Sequence, residues 1–467
     1  MNVTKAADDV RVLVPAGVLG WGIVVDEIDA GLAKAPHAIA VDAGSTDSGP
    51  AYLATGRTKY GRPSIKRDLS ILMSARRRAG IPLLIGSCGT SGCDVAVDQT
   101  LEVVLEVARE QGDAPRIAVI HSEQNAAALK ARNAAGKVTP LAPSAAATDR
   151  DFDACTHIVA LLGPEPYIAA LTGGADIVLG GRTTDTAVLA AVPLMQGADV
   201  AAAWHAAKIA ECGGLCTVNP TRPGVMMSIG HDGFTIEPLS PQNRCTPETV
   251  SAHMLYENSD PFRLVEPGGV LDVTDAEYVA LDERRVRVTG SRWETRPYTM
   301  KLEGAGGGPF QTIMLVGIED PNVLADVDSF IARMERGLRD RLARTMGAAS
   351  DIDISLRPYG WNAVSGRKPA EGTPPPREIG LMFVATAPTQ ALATEAARVC
   401  NPIFFHFPMR ESSELPSYAF AFSPAEIERG QVFQFHLNHV VHVSSPHELA
   451  RTRWIEAAPM QRSAANA

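Results

Sequence analysis

The chain has 467 residues, 45% hydrophobic and 21% charged, a globular composition with room for two or three domains. Its net charge of −10 excludes a general nucleic-acid binder, which would carry a basic surplus. The start MNVTKAADDVRVLV has no apolar signal core, no apolar run approaches a membrane span, and the seven cysteines are scattered and odd in number, so a cytoplasmic chain with reduced thiols and no membrane partner is expected.

Arg11-Val-Leu-Val reads as the first strand. It runs into PAGVLGWG (15–22), which is not a dinucleotide fingerprint and in which Trp21 either lines a pocket or packs. A strand over 38–41 ends in DAGSTDSGPAYLATG (42–56), where Asp42, Ser45, Thr46, Asp47 and Ser48 crowd between small residues. Two carboxylates in one strand-end loop suit a base with a metal ligand, or a base with its orienter. The plainer alternative is a turn whose aspartates bond their own backbone. A helix over 66–79 carries Arg76-Arg77-Arg78, read as a solvated helix end.

The strand over 82–85 leads into GSCGTSGCD (86–94). Cys88 or Cys93 there is a nucleophile if its pKa is depressed, and otherwise a small residue in a tight loop. After a helix over 97–110, the strand over 116–120 delivers His121-Ser-Glu123, an acid/base pair at a strand end. A helix over 125–134, a short strand over 138–141, a strand over 157–162 and a helix over 167–172 follow.

The stretch GGADIVLGGRTTDTAVLAA (173–191) is strand, glycine turn, polar loop and helix in succession. That is how an open α/β sheet builds a site at its carboxyl edge. Arg182 either clamps a carboxylate or phosphate or pairs with Asp185, which is also a cap or a base. In the helix over 204–212, WHAAKIAEC, the residues His205, Lys208, Ile209 and Cys212 share one face. Lys208 is a catalytic amine, a substrate anchor, or a partner of Glu211. The Cys212/Cys216 and Cys88/Cys93 spacings are not those of a zinc ribbon, so no metal is assigned.

From Asn219 prolines interrupt the chain, and short strands near 285–288 and 298–302 suggest a mixed region. Glu266-Pro-Gly-Gly and Glu303-Gly-Ala-Gly-Gly-Gly read as glycine loops with one carboxylate each and no phosphate-loop lysine. An amphipathic helix over 324–345 and a strand over 353–356 precede a proline-rich linker, 366–377. A small α+β unit follows, with strands over 379–385 and 432–443 and a helix over 389–399. In the last strand His436 and His442 fall on one face and His439 on the other, so the segment reads as an interface rather than a metal site. The tail MQRSAANA is expected to be disordered.

The alternation through about residue 191 predicts an α/β fold: a mostly parallel, doubly wound sheet over about 8–215, then a mixed part over about 216–365. The linker and a C-terminal α+β unit over 378–450 complete the expected organisation. In such a sheet strand-end loops share one edge, so Asp42, Asp47, Arg182 and Asp185 are expected to line one pocket, with His205 or Lys208 approaching from the next helix.

The chain resembles the acyclic terpene utilisation (AtuA-like) family. The resemblance rests on Asp42-Ala-Gly-Ser-Thr-Asp47, Gly180-Gly-Arg-Thr-Thr-Asp185 and Trp204-His-Ala-Ala-Lys-Ile-Ala-Glu-Cys212. Cys245-Thr-Pro, His253-Met-Leu-Tyr-Glu257, Glu266-Pro-Gly-Gly, Tyr298-Thr-Met-Lys-Leu-Glu-Gly304 and Asn438-His-Val-Val extend it over most of the chain. The family takes its name from a bacterial pathway that degrades citronellol- and geraniol-type terpenes through CoA thioesters, and it implies no established catalytic residues.

The residues suit a lyase or hydratase acting on a small hydroxy or unsaturated carboxylic acid or its CoA thioester. Asp42, Asp47, Glu123 or Asp185 would be the base, His121 or His205 the acid, and Arg182 or Lys208 the clamp, with Ser45 and Cys88 contacting substrate. The alternatives are a hydrolase or acyl-transfer enzyme using Cys88 or Ser45, without a GxSxG elbow, and a non-catalytic pathway partner. No cofactor is demanded, a divalent metal among the carboxylates remains open, and a homo-oligomer is expected.

Overall fold

The computed structural model describes residues 9–347, 351–370, 372–408 and 418–457; the expected disordered tail lies outside them. The chain forms two compact units, one of residues up to Gly306 together with those from Phe435 onward, the other Gly307–Gln434. Among the described residues no helix is long and apolar enough to cross a membrane.

The first unit holds a ten-stranded sheet. Its centre is parallel, in the spatial order Val10–Val14, Ala38–Asp42, Leu83–Gly86, Ile177–Gly180, Arg116–His121. These strands are nearly continuous apolar runs because both faces are covered. Ile39, Val41, Leu83 and Ile85 pack with the helices Arg62–Ala79 and Asp94–Gln111. Ala38, Ala40 and Leu84 pack with Ala187–Met195 and Val200–Ala210.

These five strands come from the part expected to be parallel, about 8–215, and the strands added from outside it make the sheet as a whole mixed. Val225–Ile229, Gly233–Pro238, Val286–Thr289 and Glu277–Ala280 extend one side antiparallel, and Arg451–Glu456 closes the other. The sheet is therefore mixed α/β. A parallel neighbour needs a long crossover, whereas only residues 230–232 separate the strands Val225–Ile229 and Gly233–Pro238, which leaves room for nothing but a hairpin.

Three expectations change. The strand His157–Ala160 leaves the main sheet and pairs antiparallel with Leu302–Ala305. The run from Glu303 to Gly308 is not a loop but part of the strand Thr299–Ile318. A Cβ at Gly306 would run into the Ala154 carbonyl, so its glycine permits close backbone approach. Arg76 is not solvated: it is buried and paired with Asp113 and Asp176, while Arg77 and Arg78 are exposed.

A three-stranded sheet, Arg263–Glu266, Gly269–Asp272 and Arg292–Thr295, also belongs to this unit. Trp293 stacks on Trp204, ring centroids 5.5 Å apart, and so ties it to the helix Val200–Ala210. In the second unit Ile379–Ala387 pairs antiparallel with Phe310–Ile318 and with Asp353–Tyr359. The helices Val327–Met346 and Gln390–His406 bury Phe330, Met334, Leu338 and Phe404 against Phe383 and Leu381. The described residues of 366–377 lie in this unit and carry neither helix nor strand.

Candidate functional site

At the carboxyl ends of the central strands lie two adjoining hollows of the first unit, of about 350 and 420 Å³. They share Asp47, Asp185, Glu211 and Glu257 as a common wall. The smaller hollow adds Trp21, Asp42, Ser45 and Cys212; the larger adds Arg182, Lys208, Glu266 and Lys301. Trp21 thus lines a pocket and is 56% exposed.

Asp42 ends its strand with Oδ2 accepting from Gly44 N at 2.9 Å, and Oδ1 is buried without a hydrogen-bond partner. Burial pushes this carboxyl well above its usual range, and Asp185 adds to the push against the pull of Arg182. In the same loop Ser45 Oγ donates to Asp47 Oδ2 at 2.5 Å and Asp47 N donates back to Ser45 Oγ at 3.3 Å. Thr46 is turned inward and donates to Glu303 Oε2 at 2.9 Å.

Arg182 is buried and held through Nε and Nη1. Its Nε donates to Glu303 Oε2 at 3.1 Å, and its Nη1 to Asp185 Oδ1 at 2.9 Å, Ser87 Oγ at 3.1 Å and Thr183 O at 3.0 Å. The loop that supplies Ser87 is tight: Ser87 and Thr90 have φ of 46° and 80°, and a Cβ at Gly92 would overlap the Arg182 backbone nitrogen. Against the push of burial, Arg182 and Lys301 hold Glu303 down at about 2. Lys301 Nζ donates to Glu303 Oε1 at 2.8 Å. Asp185 is pushed up by burial despite Arg182.

Beyond them, at the end of the helix Val200–Ala210, Lys208 donates to Glu211. Burial opposes the charge on Lys208, but the Glu211 and Asp185 carboxylates outweigh it and raise its pKa. Burial likewise pushes Glu211 up against Lys208. Glu266 accepts from Thr186 Oγ1 at 2.8 Å, and burial pushes its carboxyl up to about 7, against the pull of Thr186 and Lys208. Two sets of side chains here offer metal-type ligands whose atoms lie within 4.8 Å of one another: Asp47, Asp185 and Glu257, and Glu211, Cys212 and His253.

The structure therefore gathers Asp42, Ser45, Asp47, Arg182, Asp185 and Lys208 at the hollows. It does not bring the remaining candidates there. His205 is fully buried, its Nδ1 2.8 Å from Ser291 Oγ and its Nε2 3.1 Å from Tyr278 Oη, and burial pushes it down to about 3. His121 meets Asp98 at 3.1 Å, and Glu123 meets His157 at 2.6 Å while accepting from Asp94 N at 2.8 Å. Their strand lies three strand spacings from that of Asp42, roughly 14 Å. Cys88 is buried and its thiol is pushed up, the reverse of what a nucleophile needs.

Glu211, Glu257, Glu266, Lys301 and Glu303 complete the site and were not assigned to it from the sequence, which offered Glu211 only as a partner of Lys208. Local signals existed for two pairs: Lys208 and Glu211 are spaced to pair on one helix, as they do, and Lys301 and Glu303 alternate onto one face of a strand, so opposite charges two apart point the same way. Nothing local linked them to Arg182, which is 121 residues away from Glu303.

Fold and site together define a mixed α/β protein whose parallel strand ends carry a carboxylate-rich cleft with buried cations. The family model described as acyclic terpene utilisation family protein AtuA matches residues 62–432, and the chain belongs to that family. No curated protein and no solved structure matches it.

Proposed function

We propose that this protein is a lyase or hydratase acting on a small hydroxy or unsaturated carboxylic acid, or on its CoA thioester. One observation carries the reading: Lys208, Lys301 and Glu266 line the same hollow, so cations able to hold an anion stand beside a carboxyl pushed up to about 7. In the dehydrating direction Asp47 takes the proton α to the carboxyl or thioester carbonyl. The freed electron pair forms the double bond, the C–O bond breaks, and the hydroxyl takes the Glu266 proton and leaves as water. Hydration is the reverse.

The nucleophile alternative has less support. Ser45 gives its hydroxyl to Asp47, and no histidine is among the described residues lining either hollow. A panel of hydroxy and unsaturated acids and their thioesters, screened by thermal shift and then for turnover, tests the function. A ligand at 100 times its Kd is expected to add about 2.7 kcal/mol of apparent stability, and Lys208→Met is expected to abolish that shift. Binding without turnover across the panel would favour a non-catalytic pathway partner instead.

A homo-oligomer is part of the same proposal. In the first unit Leu437 and Val441 of the strand Ile427–His442 are buried, while Phe435 stays 44% exposed. Light scattering at micromolar concentration is expected to give a multiple of 49.5 kDa; a monomer would end this part of the reading.

A further inference from the structure

Outside the roles above, one group of side chains has the chemistry of a metal site. The helix Val200–Ala210 stops just before Glu211 and Cys212, both of which line the smaller hollow. His253 begins the turn His253–Leu255 after the helix Pro247–Ala252, its ring stacked on Tyr256 with centroids 5.5 Å apart. One carboxylate oxygen of Glu211, Cys212 Sγ and one ring nitrogen of His253 lie within 4.8 Å of one another. His253 is only 5% exposed, and its Nε2 is buried without a hydrogen-bond partner. A buried polar atom left unpaired is unfavourable, and a bound ligand would remove that cost.

We propose that Glu211, Cys212 and His253 bind a transition-metal ion, zinc above all, with an open coordination position facing the cleft. One thiolate, one imidazole and one carboxylate form a borderline-soft donor set, which suits zinc and not the all-oxygen demand of magnesium or calcium. Three protein ligands leave the fourth tetrahedral position to water or substrate. Lys208 engages Glu211 Oε1, and a carboxylate has a second oxygen to give. On binding, the Cys212 thiol proton passes to solvent as the sulfur–metal bond forms.

The other clusters compare poorly. Asp47, Asp185 and Glu257 offer oxygen only. In the group Cys93, Glu123 and His157 the donors are spent on each other and on neighbours: His157 Nδ1 is 2.6 Å from Glu123, Asp94 N donates to Glu123, and Ser91 Oγ donates to Cys93 Sγ at 3.3 Å.

The test is independent of the proposed reaction. The full chain, stripped by a chelator, is titrated with Co²⁺ and read by absorption. One equivalent is expected to bind, with a thiolate-to-cobalt charge-transfer band that Zn²⁺ displaces. Cys212→Ser should remove the band, His253→Gln should weaken binding about tenfold or more, and Cys93→Ser should keep the band. X-ray absorption at the zinc edge of the zinc-loaded wild-type chain needs no variant to fold, and is expected to show a single sulfur among nitrogen and oxygen neighbours. No charge-transfer band in the wild-type chain, an undiminished band in Cys212→Ser, or a sulfur-free zinc shell would each overturn the assignment.

Discussion

Arg182→Met is expected to cost roughly 3–5 kcal/mol of folding stability, the range for removing one partner of a buried ion pair. Arg182 is 4% exposed and spends Nε and Nη1 on Glu303, Asp185, Ser87 and Thr183. Methionine fills much of the volume but takes the guanidinium away from Glu303 and Asp185, and leaves Glu303 with Lys301 and the Thr46 hydroxyl. The pH dependence gives a second handle. Glu303 is held at about 2 in the folded chain, below an ordinary glutamate. Its contribution is therefore present above the unfolded pKa and is lost as pH falls from about 4.5 toward 2. In the variant that carboxyl is released upward, so the defect should grow as pH rises from 5 to 8. Urea midpoints across that range check it. A variant as stable as the wild type at pH 8 would mean that the ion pairs contribute little, and would return Arg182 to the role of a substrate clamp.

Glu266→Gln is expected to lower turnover by about 10²–10⁴-fold, the usual worth of a positioned general acid. The amide keeps the shape and can still accept from Thr186, so the fold should survive. As an acid Glu266 must hold its proton. With a pKa pushed up to about 7, wild-type turnover should fall as pH rises through 7, and the variant should lack that limb. The stability sign runs the other way from that of Glu303. A carboxyl raised in the folded state binds its proton more tightly there, so its contribution is present below the unfolded pKa and declines as pH rises from about 4.5 through 7. The glutamine variant should consequently be at least as stable as the wild type at pH 8. Turnover retained with the same alkaline limb would remove Glu266 from the mechanism.

What the sequence determined by itself is local. Apolar runs such as Ala38–Asp42 and Ile177–Gly180 have no polar face to offer water, so they are central strands whatever surrounds them. The polar glycine loops behind them follow strand ends by chain connectivity, and that alone placed Asp42, Asp47, Arg182 and Asp185 on one edge. What only the tertiary structure decided depends on neighbours distant in sequence. Strand order put His121 and Glu123 beyond the cleft, because Arg116–His121 lies outside Ile177–Gly180 rather than beside Ala38–Asp42. Helix rotation sent His205 toward Tyr278 and Lys208 toward the hollow, although both lie on one helix within a single turn. Glu303 reached Arg182 because its strand pairs with His157–Ala160, and the sequence placed that carboxylate in a loop. Periodicity reports which face of an element is apolar; it carries no information about which element will cover that face, and the long-range ion-pair partners of this site were chosen there.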